Sequence, residues 1–279
     1  MHEPTLSTPR TLNYAALKQA DTATVRQAIR AAVYGSHTAG LAAGKLQSNI
    51  VIVPQHYALD FMRYCQRNPK PCPLVAVSDT GNPMMFTLGK DIDIRFDVPA
   101  YNIYKEGELV QTLNSIDAHW HDKLVAFALG CSFTFEHALI KAGVRLWHID
   151  NDTTVPMYRT SIDTVPAGPF HGKLVVSMRA VPADQVELVS TISRQYPLAH
   201  GSPVHVGSPV DIGINDIETP QWGDRAPVPA DHVPLFWACG VTPQVAIEQS
   251  KLPLCITHKP GHMLITDVPE DAEVPIIDV

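Results

Sequence analysis

The sequence predicts an α/β protein with a mostly parallel sheet flanked by helices and an inserted smaller α+β domain. Short β-branched runs alternate with helical patterns, which is the order of elements in this class. The 24 prolines are spread along 279 residues and separate many short elements. Hydrophobic residues make up 45% and charged residues 18%, so the chain can bury enough apolar surface for a compact globule.

The main domain is predicted from repeated steps of one strand and one helix. Residues 22–33 carry apolar residues on one stripe and predict an amphipathic helix. The β-branched run 49–53 predicts a strand, and residues 55–67 follow with helical spacing. Similar strands and helices are expected at 74–78, at 174–178 with 183–196, and at 234–239 with 243–249. Such alternation is typical of parallel strands that helices connect.

The middle of the chain predicts an antiparallel insertion. Residues 91–113 alternate in hydrophobicity, and Glu106-Gly107 is a turn signal between the expected strands 101–105 and 108–113. Breaker-rich segments bound this region, so we place the inserted domain at 79–172 and the main domain at 1–78 and 173–279. The two parts are expected to form a cleft.

Charge and composition exclude several classes of partner. The net charge is −7 and basic residues form no run, so a nucleic-acid partner is not expected. No apolar stretch reaches the roughly 18 residues that a membrane span needs. Residues 1–10 lack the pattern of a signal peptide, which favours a cytoplasmic protein. We expect a small carboxylate as the ligand, and a homodimer as the assembly.

Two cysteines occupy matching positions in an internal repeat. The segments CSFTFEHAL (131–139) and CGVTPQVAI (239–247) share Cys, Thr, Glu or Gln, Ala and Leu or Ile at the same offsets. In each, Thr134 or Thr242 can cap a helix, so Cys131 and Cys239 precede helix N-termini. Such a position binds anions and can lower a thiol pKa. The alternative is that both are small buried hydrophobes, the role that we assign to Cys65 and Cys255, with Cys72 in a turn.

Other polar residues lie where predicted strands end, the usual place of ligands in α/β sheets. Arg179 can clasp a carboxylate in bidentate fashion or form a structural ion pair. Asn49 can contact ligand or cap a turn, and His258 can transfer protons or bond a loop carbonyl. The candidate catalytic residues are Cys131, Glu136, Cys239 and His258. The candidate substrate-binding residues are Gln47, Asn49, Ser132, Arg179, His205, Thr242 and Gln244.

No cofactor or metal is expected from the motifs. The glycine-rich loop 40–49 matches neither a phosphate-binding loop nor a dinucleotide fingerprint. The close histidine pairs lack zinc spacing, so a metal site would require distant segments to converge. These pairs are His119 with His121, His200 with His205, and His258 with His262.

Nearly the whole chain resembles a known family. The matching strings are GKLQSN (44–49), NPKPCPL (68–74), GCSFTFE (130–136), VPMYRT (155–160), VVSMR (175–179), GSPVH (201–205), FWACGVTPQ (236–244) and THKPG (257–261). These strings are similar to those of a bacterial hydro-lyase family that is grouped with the mitochondrial D-glutamate cyclase.

The resemblance implies a reaction that removes water from a small carboxylic acid or amino acid. For the cyclase relative, D-glutamate becomes 5-oxo-D-proline. Two alternatives stay open. Paired cysteines in two similar units also resemble the two-base arrangement of cofactor-independent amino-acid racemases, and a cleft that only binds a small acid would need no catalysis.

Overall fold

The computed structural model describes residues 14–277, so the expectation drawn from residues 1–10 lies outside the described part of the chain. The helices are α1 (Tyr14–Leu17), α2 (Thr22–Arg30), α3 (Gln55–Arg67), α4 (Phe133–Lys141), α5 (Trp147–Asp150), α6 (Val186–Arg194) and α7 (Thr242–Ser250). The strands are β1 (Lys45–Pro54), β2 (Leu74–Val77), β3 (Tyr101–Lys105), β4 (Glu108–Leu113), β5 (Leu124–Gly130), β6 (Met157–Asp163), β7 (Lys173–Pro182), β8 (His205–Val206), β9 (His232–Ala238), β10 (Cys255–His258) and β11 (Leu264–Pro269).

The strands form two sheets. The first sheet has the order β2-β5-β1-β10-β3-β4, and β11 also pairs with β1. The second sheet has the order β6-β7-β9-β8. Between residues 14 and 277, each pair of neighbouring strands runs antiparallel. The protein is therefore α/β in composition, but its sheets are antiparallel.

The prediction of a mostly parallel sheet is wrong, and the reason lies in strand order. Helix α3 does connect β1 to β2, and these strands run in the same direction because both are antiparallel to β5. Strand β5 lies between them, however. In the second sheet β9 separates β7 from β8 in the same way. Buried strands have continuous apolar sequences in both parallel and antiparallel sheets. The sequences of β1 and β2 therefore do not show that β5, which comes later in the chain, lies between them.

The antiparallel hairpin in the middle of the chain is confirmed. Strands β3 and β4 pair as predicted, and Glu106 and Gly107 turn between them with positive φ angles of 50° and 81°. The division into domains 79–172 and 1–78 with 173–279 stays a prediction. The first sheet takes β1, β2, β10 and β11 from one side of that division and β3, β4 and β5 from the other.

The two sheets are built on one repeated plan. Both β1 (KLQSNIVIVP) and β7 (KLVVSMRAVP) have ten residues, begin with Lys-Leu, end with Val-Pro and lead into helical segments. Each pairs with a strand that ends one residue before a cysteine, β5 or β9. After the following helix the chain crosses over, because β6 joins the second sheet and β10 joins the first. The internal repeat of the sequence is thus also a repeat of structure, in which each half places one strand, β6 or β10, in the sheet of the other half.

Apolar layers cover both faces of the first sheet. On one face, Ile50 and Ile52 of β1 pack against Leu124 and Ala126 of β5. On the other, Phe61 of α3 contacts the rings of Phe127 and Phe170 edge-on, with centroids 4.9 and 5.1 Å away. These layers fix β1, the strand that carries two of the candidate site residues, Gln47 and Asn49. No helix in residues 14–277 combines the length and apolarity that crossing a membrane requires.

Candidate functional site

Two cysteine-bearing turns form the centre of the candidate site. Cys131 lies in the turn 131–132 between β5 and α4, and Cys239 lies in the turn 239–241 between β9 and α7. Both are buried. In each turn the sulfur accepts a hydrogen bond from the N–H two residues later, that of Phe133 or Val241. The two helix starts therefore have the same local geometry.

The predicted threonine caps do not form. Helix α4 begins at Phe133 and α7 at Thr242, and neither is capped by a side chain. The hydroxyl of Thr134 instead accepts from the N–H of Gln47, at 3.1 Å, and that of Thr242 accepts from the N–H of Val175, at 3.0 Å. Each threonine thus ties its helix to β1 or β7. The N–H groups of Thr134 and Thr242 themselves donate to the carbonyl oxygens of Cys131 and Cys239, at 3.0 Å each.

Asn49 joins the two turns. Its amide nitrogen donates to the carbonyl oxygen of Gly130 at 2.9 Å. On the other side Gly240 lies so close that a Cβ there would stand 2.1 Å from the Asn49 Cγ. Cys131 lies near enough to Cys239 for the charge of ionised Cys239 to raise the pKa of Cys131. The repeat therefore brings both thiols to one region, as the sequence predicts.

Both thiols are held in the protonated form, contrary to the expectation that helix N-termini lower their pKa. Burial raises the pKa of Cys131 well above its usual range, against a smaller lowering by the Phe133 N–H. Burial also raises the pKa of Cys239, to about 11, while the Val241 N–H and the charge of Arg179 lower it. Desolvation outweighs the helix terminus because a thiolate here would lose its hydration. Cys239 is the more acidic thiol, and Cys131 also faces the charge of Glu136.

Beside the thiols lies a buried ion pair between Arg179 of β7 and Glu136 of α4. The Nε of Arg179 donates to Glu136 Oε1 at 3.0 Å, and one terminal nitrogen donates to the same oxygen. His148 Nε2 also lies 2.8 Å from Oε1. The other oxygen, Oε2, is buried and has no hydrogen-bond partner among residues 14–277. Arg179 therefore forms an ion pair within the protein. The substrate carboxylate that the sequence predicts as its partner would bind only to N–H groups of Arg179 that this ion pair does not use.

The guanidinium of Arg179 is fixed from several directions. It lies beside the neighbouring rings of Phe135 and Trp237, with both centroids 5.3 Å from its Cζ. It also donates to the hydroxyls of Ser132 and Ser177, at 3.0 and 3.2 Å. Cation–π contacts and hydrogen bonds at a buried position give the guanidinium a single orientation.

Glu136 is ionised despite its burial. Burial alone would raise its pKa, but the charges of His148 and Arg179 and their hydrogen bonds lower it to about 2. At neutral pH the carboxylate therefore carries its negative charge, with Oε1 in contact with Arg179 and His148 and Oε2 unpaired.

His258 and Gln244 extend the site toward β10. The N–H of Ile50 lies 3.1 Å from His258 Nδ1, while Nε2 is buried and unpaired within the described chain. Burial lowers the pKa of His258 to about 4, so the ring is neutral at pH 7. Gln244 Nε2 donates to the carbonyl oxygen of His258 at 3.0 Å. Gln47 Nε2 donates to the carbonyls of Thr38 and Leu41 and so holds the glycine-rich loop.

The structure brings ten of the eleven candidate residues onto the five connected segments β1, β5–α4, β7, β9–α7 and β10. His205 is the exception. It lies half-buried on β8 beside Phe236, and Phe236 packs with Met178 on the face of the second sheet opposite to Arg179. Its Nε2 lies 2.7 Å from the Ser208 carbonyl. Any role in binding stays a prediction.

Sequence reasoning missed His148, Ser177 and Trp237. Ser177 and Trp237 each lie two residues before a candidate, on the same side of the strand as Arg179 or Cys239, so strand periodicity could have found them. His148 is different. It lies on the short helix α5, outside the repeated segments of the sequence. Its contact with Glu136 is visible only in the folded structure.

Two cavities flank the Glu136–Arg179 pair. One, of about 360 Å³, is lined by Arg179 and His148 together with Arg145 and His232. The other, of about 190 Å³, is lined by Glu136 and Gln47 together with the glycine-rich loop and Thr134. Neither lining includes Cys131 or Cys239. Across residues 14–277, no three His, Cys, Asp or Glu side chains are placed to hold one metal ion.

The chain belongs to the D-glutamate cyclase family. The model of that family matches residues 125–267, which include both cysteine turns, Arg179 and His258. The expected family resemblance is therefore confirmed.

Bacterial relatives cover nearly the whole chain. A protein of Dinoroseobacter shibae named "Putative hydro-lyase" is 67% identical over 95% of this chain and 88% of its own length. One of Ruegeria pomeroyi with the same description is 67% identical over 96% of this chain and 97% of its own. A nitrogen repressor-like protein of Methanococcus jannaschii aligns over 84% of this chain and 90% of its own, with 12% identity and a TM-score of 0.36.

Proposed function

We propose that this protein is a lyase that removes water from a small amino acid, and that D-glutamate, cyclising to 5-oxo-D-proline, is the substrate. One observation carries the proposal: two protonated thiols at two helix starts lie near one buried Arg179–Glu136 pair. Such a region offers both proton donors and groups that bind anions. Family membership supports the same reaction.

The chemistry requires protons to move from nitrogen to oxygen. Cyclisation forms a bond between the α-nitrogen and the γ-carboxyl carbon and breaks one bond from that carbon to oxygen. The substrate ammonium loses two protons, and the departing oxygen gains two and leaves as water. No redox partner is needed for this balance.

The site residues suit these steps. Cys239, the more acidic thiol, donates a proton to the departing oxygen, and Cys131 is a second donor or acceptor. The positive dipole ends of α4 and α7 attract the carboxylate groups of the substrate. The unpaired Nε2 of His258 exchanges a proton with the ligand. Holding the amine against the carboxyl carbon supplies a further part of the rate, because the reaction is intramolecular.

The test is product analysis of the purified protein with D-glutamate, L-glutamate and hydroxy acids. We expect 5-oxo-D-proline from D-glutamate. Cys239→Ala should lower kcat by about 10²- to 10⁴-fold, the usual contribution of a general acid. Cys255→Ala removes an equally buried thiol from a packing position and should retain turnover. A folded protein that converts none of these acids, or equal kcat for the two variants, would contradict the proposal.

The repeated geometry of the two cysteine turns favours one second candidate, a two-base racemase. Such an enzyme would exchange the α-hydrogen with solvent, so D-glutamate incubated in deuterated water would gain label at the α-carbon. A racemase also needs one thiol ionised, and burial raises the pKa of both. We therefore expect loss of water without label at the α-carbon.

A further inference from the structure

The larger cavity, of about 360 Å³, is lined mainly by basic polar side chains. Its lining includes Arg145, His148, Arg179 and His232, against one carboxylate, that of Asp150. The chain as a whole carries a net charge of −7, so this concentration of basic groups is local. A cleft in which basic groups outnumber acidic ones attracts a negatively charged ligand.

His148 is the buried polar group that is open toward this cavity. Its side chain is 3% exposed, and its Nε2 lies 2.8 Å from Glu136 Oε1. The two nitrogens of an imidazole ring point in widely different directions, so Nδ1 is directed away from Glu136. Nδ1 has no hydrogen-bond partner among residues 14–277, and it is not closed off from solvent. Because His148 lines the cavity, this opening leads into the cavity.

The carboxylate of Glu136 determines what Nδ1 can offer a ligand. Glu136 is ionised, since its pKa is lowered to about 2, so it accepts a hydrogen bond and Nε2 of His148 carries the hydrogen. A ring that takes up a second proton then donates from Nδ1. The negative charge of Glu136 offsets the positive charge of such a ring, which favours an anion at Nδ1.

The open edge of β7 supplies a main-chain donor to the same cavity. The N–H of Met178 donates to the Pro156 carbonyl oxygen at 3.0 Å, on the side of β6. The backbone groups of a strand alternate between its two edges, so the N–H of Ala180 points to that same side, away from β9. Strand β6 begins at Met157, opposite Ser177, and does not reach Ala180. Ala180 lines the cavity, and none of the described residues accepts from its N–H.

We propose that the larger cavity is a second ligand site, which binds a small monocarboxylate with an apolar body. The carboxylate accepts hydrogen bonds from Arg145, from His148 Nδ1 and from the N–H of Ala180. The lining includes neither Cys131 nor Cys239, so this site goes beyond the proposed cyclisation. The apolar body of the ligand packs against the hydrophobic part of the lining, which consists of Leu146, Trp147, Met178, Ala226, Pro227 and Pro229.

Asp150 is the internal competitor for Arg145. One terminal nitrogen of Arg145 lies 2.9 Å from Asp150 Oδ2, and the two side chains are 87% and 39% exposed. Exposed ion pairs of this kind are weak, so a ligand carboxylate can displace Asp150 from the guanidinium. Arg179 is held by the buried Glu136 instead, and its guanidinium is not needed for the contact.

The experiment compares the binding of cyclopentanecarboxylate and cyclopentanecarboxamide, which have nearly the same shape and differ in charge. NMR titration measures both dissociation constants. We expect the carboxylate to bind roughly tenfold more tightly, the effect of one hydrogen bond between charged groups. Arg145→Leu and His148→Gln should each lower this ratio severalfold. Asp150→Asn should raise it, because this change frees Arg145, and damage to the fold would not produce a gain.

The controls separate this cavity from the rest of the molecule. Arg63 of α3 forms a similar exposed pair with Asp60, so Arg63→Leu should keep the ratio of the parent. Cys131→Ala should also keep it, and a lower ratio there would overturn the proposal by placing the ligand at the cysteine turns. A ratio near one in the parent, a ratio unchanged in Arg145→Leu or His148→Gln, or one not raised in Asp150→Asn would overturn it as well. The turnover assay with D-glutamate tests the cyclisation independently of this binding experiment.

Discussion

Single residues at this site are governed by burial more than by their position in the chain. The positions of Cys131 and Cys239 before helices suggest reactive thiolates, yet both thiols are protonated because their surroundings exclude water. Glu136 is equally buried and stays ionised, because Arg179 and His148 compensate its charge. The chemistry of each side chain therefore depends on partners that lie far apart in sequence.

The Arg179–Glu136 pair should be important for stability as well as for binding. Arg179→Leu leaves Glu136 buried with His148 as its remaining charged partner, so we expect a loss of about 3–5 kcal/mol in the free energy of unfolding. Arg145→Leu is the control, since the Arg145 side chain is 87% exposed and pairs with Asp150 at the surface. That change should cost less than about 1 kcal/mol. Urea denaturation measures the free energy of unfolding of both variants. Similar losses in the two would contradict the claim that the Arg179–Glu136 pair is buried.

At the scale of elements, the sequence predicted several of the helices and strands but not how the strands are ordered, and it gave no prediction for β6, β10 or β11. Helix α3 begins and ends as expected, and β3 and β4 match the predicted hairpin. Hydrophobic periodicity shows which side of a single segment is buried. Strand order depends instead on contacts between distant segments such as β1 and β5, which begin 79 residues apart (124 − 45). The internal repeat predicted the shared position of the two thiols because it encodes the same strand–turn–helix unit twice.

The two cysteine turns should depend on the close approach of Gly240 to Asn49. In Gly240→Ala the new Cβ meets the Asn49 Cγ at 2.1 Å, so either Asn49 or the turn must move. We expect a loss of about 1–3 kcal/mol in stability, as for an overpacked core, and reduced turnover of D-glutamate. Gly35→Ala is the control, because its Cβ would have no neighbour nearer than the Pro99 oxygen at 4.0 Å. Thermal unfolding that is equal in the two variants would contradict the contact.

The whole molecule combines a symmetric framework with an asymmetric set of polar groups. The repeat supplies two sheets, two cysteine turns and two exchanged strands. The position that Arg179 takes in β7 is taken by Val51 in β1, and Gln244 stands where Glu136 stands in the other unit. Sequence reasoning could identify Arg179, Glu136 and Gln47 by residue type and place in a strand or helix. It could not find His148 or the two cavities, which only the packing of both halves creates.

The buried histidines should make the whole fold sensitive to mild acid. Burial lowers the pKa of His200, His258 and His262 from 6.5 to about 4. The unfolded chain therefore binds more protons than the native one between these values, so the stability present above pH 6.5 is lost as the pH falls toward 4. By pH 5 each histidine should cost about 1–2 kcal/mol.

Urea denaturation at pH 7.5 and pH 5 measures this loss. His200→Gln should reduce the difference between the two pH values, while His56→Gln, at an exposed position on α3, should leave it unchanged. Stability that is equal at the two pH values would contradict the burial of these rings.

The most direct test of the account asks whether the two cysteine turns act at one site. It measures kcat for 5-oxo-D-proline formation in Cys131→Ala, Cys239→Ala and the double variant. Groups that act as a unit give strongly non-additive losses, so the double variant should be about as slow as the slower single variant. Losses that multiply in the double variant, or single variants with the parent's kcat, would show that the thiols do not share one reaction.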